Sequence, residues 1–569
     1  MTDKGRYTKY SNKIGLYSTS KGSFIKNDTD VVVSFPFKDT VLEAGMSKED
    51  LGREERFLHI EIDSKDIDTL EEPKVLTNFK YIDKHGEREL TANTDINFFD
   101  NYEELNANLL IQGNNLLALY SIREKLAGKV KLIYIDPPFN TKGDADTFTY
   151  NNSFNHSSWL AFMKNRLEVA KELLSDDGFI AISIDHVELF YLGVLADEIF
   201  GSDNRVGVVT VIHNPKGRNQ AKFFSANSEF MLVYAHDIEK ANFNKVALNE
   251  EQIQSFTEQD DKGTFRWEPY IRARTVWSRE RRPKNWYPIY VSKDLQTISS
   301  KKFEGSAYEL YPIPNTGKEM AWKNVKKTFD ELNKDGYFTA RIVEGKVRIF
   351  HKYHEQSVLK NVWTDKRYQS EFNGTNLLKQ IVPDSKFSYP KSLYTVLDIV
   401  RITTDPDDVI VDFFGGSLTT AHAVWEANDI DGGSRKFVMV EQLAEHIEVG
   451  MKRLKNIAKD NDKRNFIYFE LKKYNQEYID RITKATSLSE LEDIYVEMRN
   501  NAFLKFWFDR SEFEKDENFR KLDIAERKQK LVDILDENQL YLNYTDMNDT
   551  RHKVTADEKA LTDRFYGKA

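Results

Sequence analysis

Short apolar runs bounded by glycine, proline or asparagine recur along this chain, and between them apolar positions return every three or four residues. Residues 109–111 predict a short strand ending in a tight turn at Gly113, with a helix from 115 to about 125 that Asn114 or Asn115 can cap. Residues 131–135 are largely β-branched or aromatic and predict a buried parallel strand. Pro137 and Pro138 have no N–H for a ladder, so this strand stops at Asp136. Ser157 or Ser158 is placed to cap a helix whose apolar side carries Trp159, Phe162, Met163, Ala170, Leu173 and Leu174. Residues 179–184, after Gly178, predict a second buried strand, followed by a helix over 187–200. Strand, helix, strand, helix in that order is a parallel α/β unit.

From about 205 to 373 the alternation breaks into short strand-like pieces, such as 206–212 and 230–234, among basic, aromatic and Gly/Pro-containing stretches. It returns with a buried strand at 409–413, the close turn Gly415-Gly416-Ser417, a helix from 419 to about 427, and a strand at 436–440 ending in Glu441. Beyond 445 the pattern is charged and helical, with 491–504 and 531–540 the best amphipathic stretches. The expected organisation is an arm (1–100), the first half of an α/β core (101–204), an insertion (205–375), the second half of the core (376–445) and a helical assembly region (446–569). Truncation near Lys472 is then expected to leave the α/β core and weaken self-association. The polar stretch 141–156 reads as a loop long enough to act as a lid.

Composition narrows the class. The 569 residues, 40% hydrophobic and 31% charged, fit a soluble protein of several domains. No apolar run reaches the roughly 18 residues a membrane span requires, and no signal peptide follows the charged start Met1-Thr2-Asp3-Lys4. The absence of cysteine excludes disulfides, thiolate zinc sites and cysteine nucleophiles, and suits a reducing cytoplasm. A net charge of −10 argues against a uniformly basic nucleic-acid binder, so any such surface must be local. The insertion carries one. Arg272, Arg274, Arg279, Arg281, Arg282 and Lys284 are interleaved with Trp267, Tyr270, Trp277, Trp286 and Tyr287, against only Glu268 and Glu280. Lys216 and Arg218 join this set near the start of the insertion. Arginine beside aromatic residues favours contacts with nucleic acid.

Two stretches carry candidate chemistry. Asp136, the carbonyls of Pro137 and Pro138, and the ring of Phe139 sit on a stiff turn at the carboxyl end of a strand, where open α/β sheets place ligands. A carboxylate and a carbonyl can accept the two N–H bonds of an exocyclic amino group while a ring stacks on the base. The turn at Gly415-Gly416-Ser417 lets a ligand approach backbone N–H groups at a helix N-terminus, and Glu441 is placed to accept both hydroxyls of a ribose. The dinucleotide pattern G-x-G-x-x-G is absent.

Asp136-Pro137-Pro138-Phe139, followed much later by Asp412-Phe413-Phe414-Gly415-Gly416-Ser417, resembles the amino-methyltransferases of DNA in their β-group order. An aspartate at the head of the first motif looks like the adenine-N6 type; cytosine-N4 enzymes of this kind usually begin it with serine. Phe35-Pro36-Phe37-Lys38-Asp39, Asn155-His156-Ser157-Ser158-Trp159, Asp431-Gly432-Gly433-Ser434-Arg435-Lys436-Phe437 and Asn538-Gln539-Leu540-Tyr541-Leu542-Asn543-Tyr544 resemble the Mod subunits of type III restriction–modification systems. The resemblance implies a Rossmann-like S-adenosylmethionine-dependent domain interrupted by a target-recognition insertion. It implies Asp136, Pro137, Pro138 and Phe139 as catalytic residues, and Phe387, Pro390, Lys391, Asp412, Phe414, Gly415, Gly416, Ser417 and Glu441 as residues around S-adenosyl-L-methionine, with no metal. It further implies flipping of the target base from double-stranded DNA, a homodimer, a helicase–nuclease partner subunit, a cytoplasmic location and no membrane. The chain carries Leu418 where the family often has glycine, which is expected to narrow the turn and weaken cofactor binding, and Asn114 where an aspartate is common. An orphan methyltransferase and a catalytically silent recognition module are the alternatives.

Overall fold

The computed structural model describes residues 71–568 apart from 101–103, 142–154, 218–222, 245–255, 261–262, 273–276, 355–359, 460, 503, most of 505–521, and 536–539, together with a few short strands before residue 71. Two compact units divide the chain: Met1–Asn244 with Lys360–Ala569, and Lys245–Leu359.

The first unit is built on one eleven-stranded sheet. In chain order its elements begin with β1 (Leu76–Asp83), β2 (Gly86–Glu89), β3 (Leu109–Gln112), α1 (Asn115–Leu126), β4 (Val130–Ile135), α2 (His156–Leu173), β5 (Leu174–Ile184), α3 (Leu189–Phe200), β6 (Arg205–Val211) and β7 (Glu229–Ala235). They continue with β8 (Val362–Trp363), α4 (Leu393–Thr403), β9 (Val409–Asp412), α5 (Thr419–Asp431), β10 (Lys436–Glu441), α6 (Ala444–Ala458) and β11 (Phe466–Leu471). The spatial order is β8-β6-β7-β5-β4-β9-β10-β3-β11-β1-β2. From β5 to β11 in that order the strands run parallel. Every residue of β4 is buried, which explains its unbroken apolar run: helices cover both faces of a parallel sheet.

The connections open a crevice at one point. From β4 the chain passes through α2 to β5 on one side, and from β9 through α5 to β10 on the other. β4 and β9 are neighbours, with Leu132 opposite Ile410 and Ile133 opposite Val411. Their carboxyl ends, Asp136 and Asp412, therefore lie side by side at a topological switch point, where such sheets bind ligands. Trp159, Phe162, Met163, Ala170 and Leu173 of α2 are fully buried on the sheet, the apolar side expected of that helix, whereas Leu174 has already entered β5.

Several boundaries differ from the expected ones. The α2 helix starts at His156 after Asn155, with no side-chain cap; neither Ser157 nor Ser158 caps it. The sheet does not end at 205. β7 pairs antiparallel with β5, from Phe179 opposite Ala235 to Ile184 opposite Phe230, and β6 pairs with β7. The broken alternation marks a change from parallel crossovers to an antiparallel hairpin, because β7 is apolar and buried like the strands before it. The separate insertion is shorter than 205–375 and runs over Lys245–Leu359. Residues 76–89 are sheet edge in place of an arm, since β1 pairs with β11. At the other end, α6 and β11 belong to the core. The last helix, Ala556–Tyr566, buries Leu561, Phe565 and Tyr566 in that same core. Truncation at Lys472 would strip this cover, so the expectation of an intact core is corrected. Helices Asn475–Lys484, Leu488–Asn501 and Ile524–Asp533 build a separate small cluster around Ile482, Leu491, Met498 and Leu531. Among the described residues no helix is long and apolar enough to cross a membrane.

The second unit holds a four-stranded antiparallel sheet, Glu258–Asp260, Gly263–Pro269, Lys346–His354 and Phe338–Val343, and a three-stranded one around Ile289–Ser292. Its core gathers Tyr270, Tyr287, Ile289, Trp322, Phe329 and Phe338.

Candidate active site

The turn after β4 is pinned from three directions. The indole N–H of Trp159 donates to the carbonyl of Pro138 at 2.8 Å. That carbonyl, expected to be free for a base, already accepts one hydrogen bond and keeps one lone pair for another donor. Asn140 adopts a left-handed φ of 54° and is fully buried, with its amide donating to Glu188 at 2.7 Å. His156 Nδ1 lies 2.7 Å from the same Glu188 oxygen, so the first residue of α2 is tied to the end of the turn. Phe139 is half-buried against the core.

Asp136 lines the crevice, with its Oδ1 buried. Its Oδ1 accepts no hydrogen bond from any described residue. The Lys391 ammonium is 3.3 Å from it, an ion pair whose angles fall short of a hydrogen bond. Burial pushes the Asp136 carboxyl up to about 6, with Lys391 pulling the other way. Lys391 lines the cleft where the cofactor is expected, and its ammonium also reaches the catalytic turn. It donates to Glu229 at 2.5 Å and lies 4.4 Å from the centre of the Phe139 ring. Burial opposes its charge, but Asp136 and Glu229 together raise it above the ordinary lysine value, so it is a cation.

The turn after β9 is satisfied. Asp412 Oδ1 accepts from the Phe414 N–H at 2.9 Å and Oδ2 from the Thr420 hydroxyl at 2.6 Å. Burial raises its carboxyl to about 7. Glu441 closes the glycine turn: one oxygen accepts from Gly416 N–H at 2.7 Å, the other from Gln442 and Leu443 at 2.9 and 2.8 Å. Burial opposes its ionisation, yet His446 and these backbone donors hold it below the ordinary carboxylate value. With three acceptances already made, it cannot take both ribose hydroxyls without releasing a backbone donor. Beneath the turn, the buried guanidinium of Arg453 donates to the Thr419 hydroxyl at 2.8 Å and the Ser417 carbonyl at 3.2 Å.

Leu418 does not narrow the crevice. Its φ of 57° is left-handed, which is what favours glycine there. The side chain points away from the crevice and is fully buried against Gly450, where a Cβ would lie 2.5 Å from Leu418 Cγ. The absence of a side chain at 450 makes room for the leucine at 418.

The two turns are linked through the first half of the core. Arg166 donates to Asn115 at 2.7 Å, and Asn115 to the Phe413 carbonyl at 2.9 Å. Asn114 caps α1 through the Leu116 N–H at 3.0 Å. Between the turns lies an open cleft lined by Asp136, Phe387, Pro390, Lys391, Asp412, Phe414, Gly415, Gly416, Ser417 and Glu441 among others. Its chemistry fits S-adenosylmethionine: aromatic rings on one wall, backbone N–H groups at the start of α5, and buried carboxylates for a cationic, hydroxylated ligand. A Cβ at Gly416 would already touch Phe387 at 3.4 Å, so glycine keeps that wall open.

Sequence reasoning missed Glu229, Trp159 as a clamp on the turn, Asn140, Glu188 and Arg453. Trp159 was legible only as core, and a charged residue opening an apolar strand was the one signal for Glu229.

In the second unit, Arg272 and Arg282 flank Trp277 at 5.0 and 4.8 Å, and Arg279 stacks on Trp286 at 4.8 Å while pairing with Glu319. Arg281 and Lys284 are exposed. Tyr270 and Tyr287 turn into the core. Lys216 is exposed on the first unit, 3.8 Å from Glu371. Arg218 and Arg274 lie outside the described residues.

Residues 130–480, more than half of the chain, match the family described as DNA methylase. The probable type III restriction-modification enzyme HindVI Mod subunit of Haemophilus influenzae is 26% identical, over 98% of this chain and 88% of its own length. The type III restriction-modification enzyme EcoPI Mod subunit of Escherichia phage P1 is 32% identical, over 59% of this chain and 57% of its own. The type II methyltransferase M.KpnI of Klebsiella pneumoniae is 30% identical, over 58% and 79%. With its α/β sheet, its two motif turns on neighbouring strands and a cleft suited to S-adenosylmethionine, the chain belongs to the DNA methylase family, whose members methylate amino groups of DNA bases with that cofactor.

Proposed function

We propose that this chain methylates adenine N6 at specific sites in double-stranded DNA, as the modification and recognition subunit of a type III restriction–modification system. One observation carries the catalytic part: Asp136 directly follows a buried strand, on the same turn as Pro137, Pro138 and Phe139, with a carboxylate oxygen that accepts no hydrogen bond from the described residues. The aspartate at the head of the turn favours adenine over cytosine. Similarity to the HindVI Mod subunit over nearly the whole chain supports the subunit role.

The target base must leave the duplex, at a cost of ~ a few kcal/mol, and stacking on Phe139 returns about 1–3 kcal/mol. Asp136 and a prolyl carbonyl of the turn accept the two amino N–H bonds, which favours a pyramidal nitrogen and frees its lone pair. When bound, S-adenosylmethionine supplies an electrophilic methyl group on a sulfonium centre. Phe387, Pro390, Gly415, Gly416, Ser417 and Glu441 would hold it, with Phe414 and Asp412 shaping the turn. Asp136, with its carboxyl near 6, is mostly ionised at pH 7 and can take up the proton the nitrogen gives up.

Arg281, Arg282 and Lys284 are proposed to bind DNA on the insertion. Neutralising Arg281 and Arg282 should weaken binding and flatten its salt dependence, by about one unit of slope for each phosphate no longer neutralised. The exposed Phe190, Tyr191 and Val194 of α3 offer an apolar surface for the proposed homodimer.

Nucleoside analysis of DNA methylated by the purified protein tests the reading. N6-methyladenine is expected, and N4-methylcytosine, or no product, would overturn it. Co-purification with a helicase–nuclease chain separates the Mod role from an orphan enzyme.

A further inference from the structure

We infer that Glu229 and Lys391 are positioning residues of the transfer: the Lys391 ammonium, held by Glu229, occupies the place of the target amino group between Asp136 and the Phe139 ring until the flipped base displaces it. The inference rests on the proposed role of Asp136.

The placement follows from topology. β7 runs antiparallel to β5, so its first residue lies at the same edge of the sheet as the carboxyl ends of β4 and β5. Glu229 is that first residue, and its side chain is only 8% exposed. A buried carboxylate at a strand start needs a partner, and Lys391, itself 9% exposed, provides it at 2.5 Å. From that anchor the ammonium lies 3.3 Å from Asp136 Oδ1 and 4.4 Å from the Phe139 ring centre.

These are the contacts proposed for the substrate. A carboxylate that pairs with an ammonium can accept from an amino group, and a ring face that attracts a cation can stack a base. Both occupants cannot be there together. A base stacked about 3.5 Å above the ring would overlap a nitrogen 4.4 Å from its centre. Because the Asp136 contact lacks hydrogen-bond geometry while the Glu229 contact has it, the ammonium has a defined place to withdraw to. Asp136 then exchanges a neighbouring cation for a neutral donor. The other ionisable groups near Asp136 are Tyr134 beneath it and Asp412 on β9, neither of which donates to it.

The experiment uses the full-length protein with Glu229→Gln, Glu229→Asp, Lys391→Met and, as a control, Asp136→Ala. Single-turnover transfer is measured against pH, alongside cofactor affinity and the fluorescence of 2-aminopurine at the target position. For Glu229→Gln and Lys391→Met we expect transfer at neutral pH to fall about tenfold or more at saturating DNA and cofactor. The acid limb should move to higher pH in Lys391→Met, because Asp136 loses its counter-charge. Cofactor affinity should stay near the parent's, and Glu229→Asp should recover part of the rate. Base flipping in Lys391→Met should equal or exceed the parent's, since the occupant is gone. Parent rates and pH profile in both variants, or a loss confined to cofactor affinity, would overturn the inference. Glu229→Gln preserves shape, so it reports even if Lys391→Met misfolds. Should Asp136→Ala itself retain transfer, the reading of the whole site fails instead, a separate result.

Discussion

Two adjacent parallel strands of this protein end in aspartate, and the two carboxylates are treated in opposite ways. Asp412, at the end of β9, has both oxygens committed, to the Phe414 N–H and the Thr420 hydroxyl. Asp136, after β4, has an oxygen with an ion-pair neighbour and no hydrogen bond from the described residues. Burial raises both. The same residue type at equivalent places in the fold therefore does different work: one side chain ties a turn together, and the other is held ready for an incoming donor. A buried acceptor left without its hydrogen bond costs about 1–3 kcal/mol, a cost that a ligand's N–H can offset.

The contrast can be sharpened by pH. Transfer needs the ionised Asp136, so the single-turnover rate should fall about tenfold per unit as pH drops below about 6. The stability term has the opposite sign. A carboxyl raised in the folded state binds its proton more tightly there than in the unfolded chain, so stability contributed by Asp136 is present below the unfolded value and is lost as pH rises toward about 6. Rate–pH profiles and melting curves on one preparation read both.

Leu418 tests the second turn without touching the first. Replacement by glycine relieves the left-handed backbone by about 1 kcal/mol but empties a buried leucine site worth about 2–5 kcal/mol. A lower melting temperature with unchanged cofactor affinity is expected; a clear gain in affinity would mean that the side chain does narrow the cleft.

A smaller effect is expected at Trp159→Phe. It removes the donor to the Pro138 carbonyl while keeping most of the packing, a loss of about 1 kcal/mol. The transfer rate should drop several-fold through a looser Asp136 turn, with cofactor affinity unchanged. Equal losses in both would place the clamp's effect on the whole cleft.

Much of this was legible in the sequence because strong local signals agree. The apolar runs gave β4, β5, β9 and β10, and the prolines and glycines marked where two of them turn. What was not legible was set by tertiary pairing. Nothing local says that β4 and β9, separated by the whole insertion, become neighbours; the crossovers decide it. The hairpin of β6 and β7 broke the alternation and so read as the start of another domain. Glu229 and Lys391 lie far apart in sequence and meet only because β7 returns antiparallel along β5. For Leu418, the sequence could show a departure from glycine, but not that the side chain turns toward Gly450.

The most direct test sets Asp136→Asn beside Asp412→Asn, measuring single-turnover methyl transfer and thermal melting on each. Asp136→Asn is expected to abolish transfer while melting at or above the parent's temperature, since a buried charge is removed. Asp412→Asn is expected to lose about 1–3 kcal/mol of stability through a broken turn while its folded, cofactor-saturated fraction still transfers. Near-normal transfer by Asp136→Asn, or the same pattern in both variants, would contradict the account.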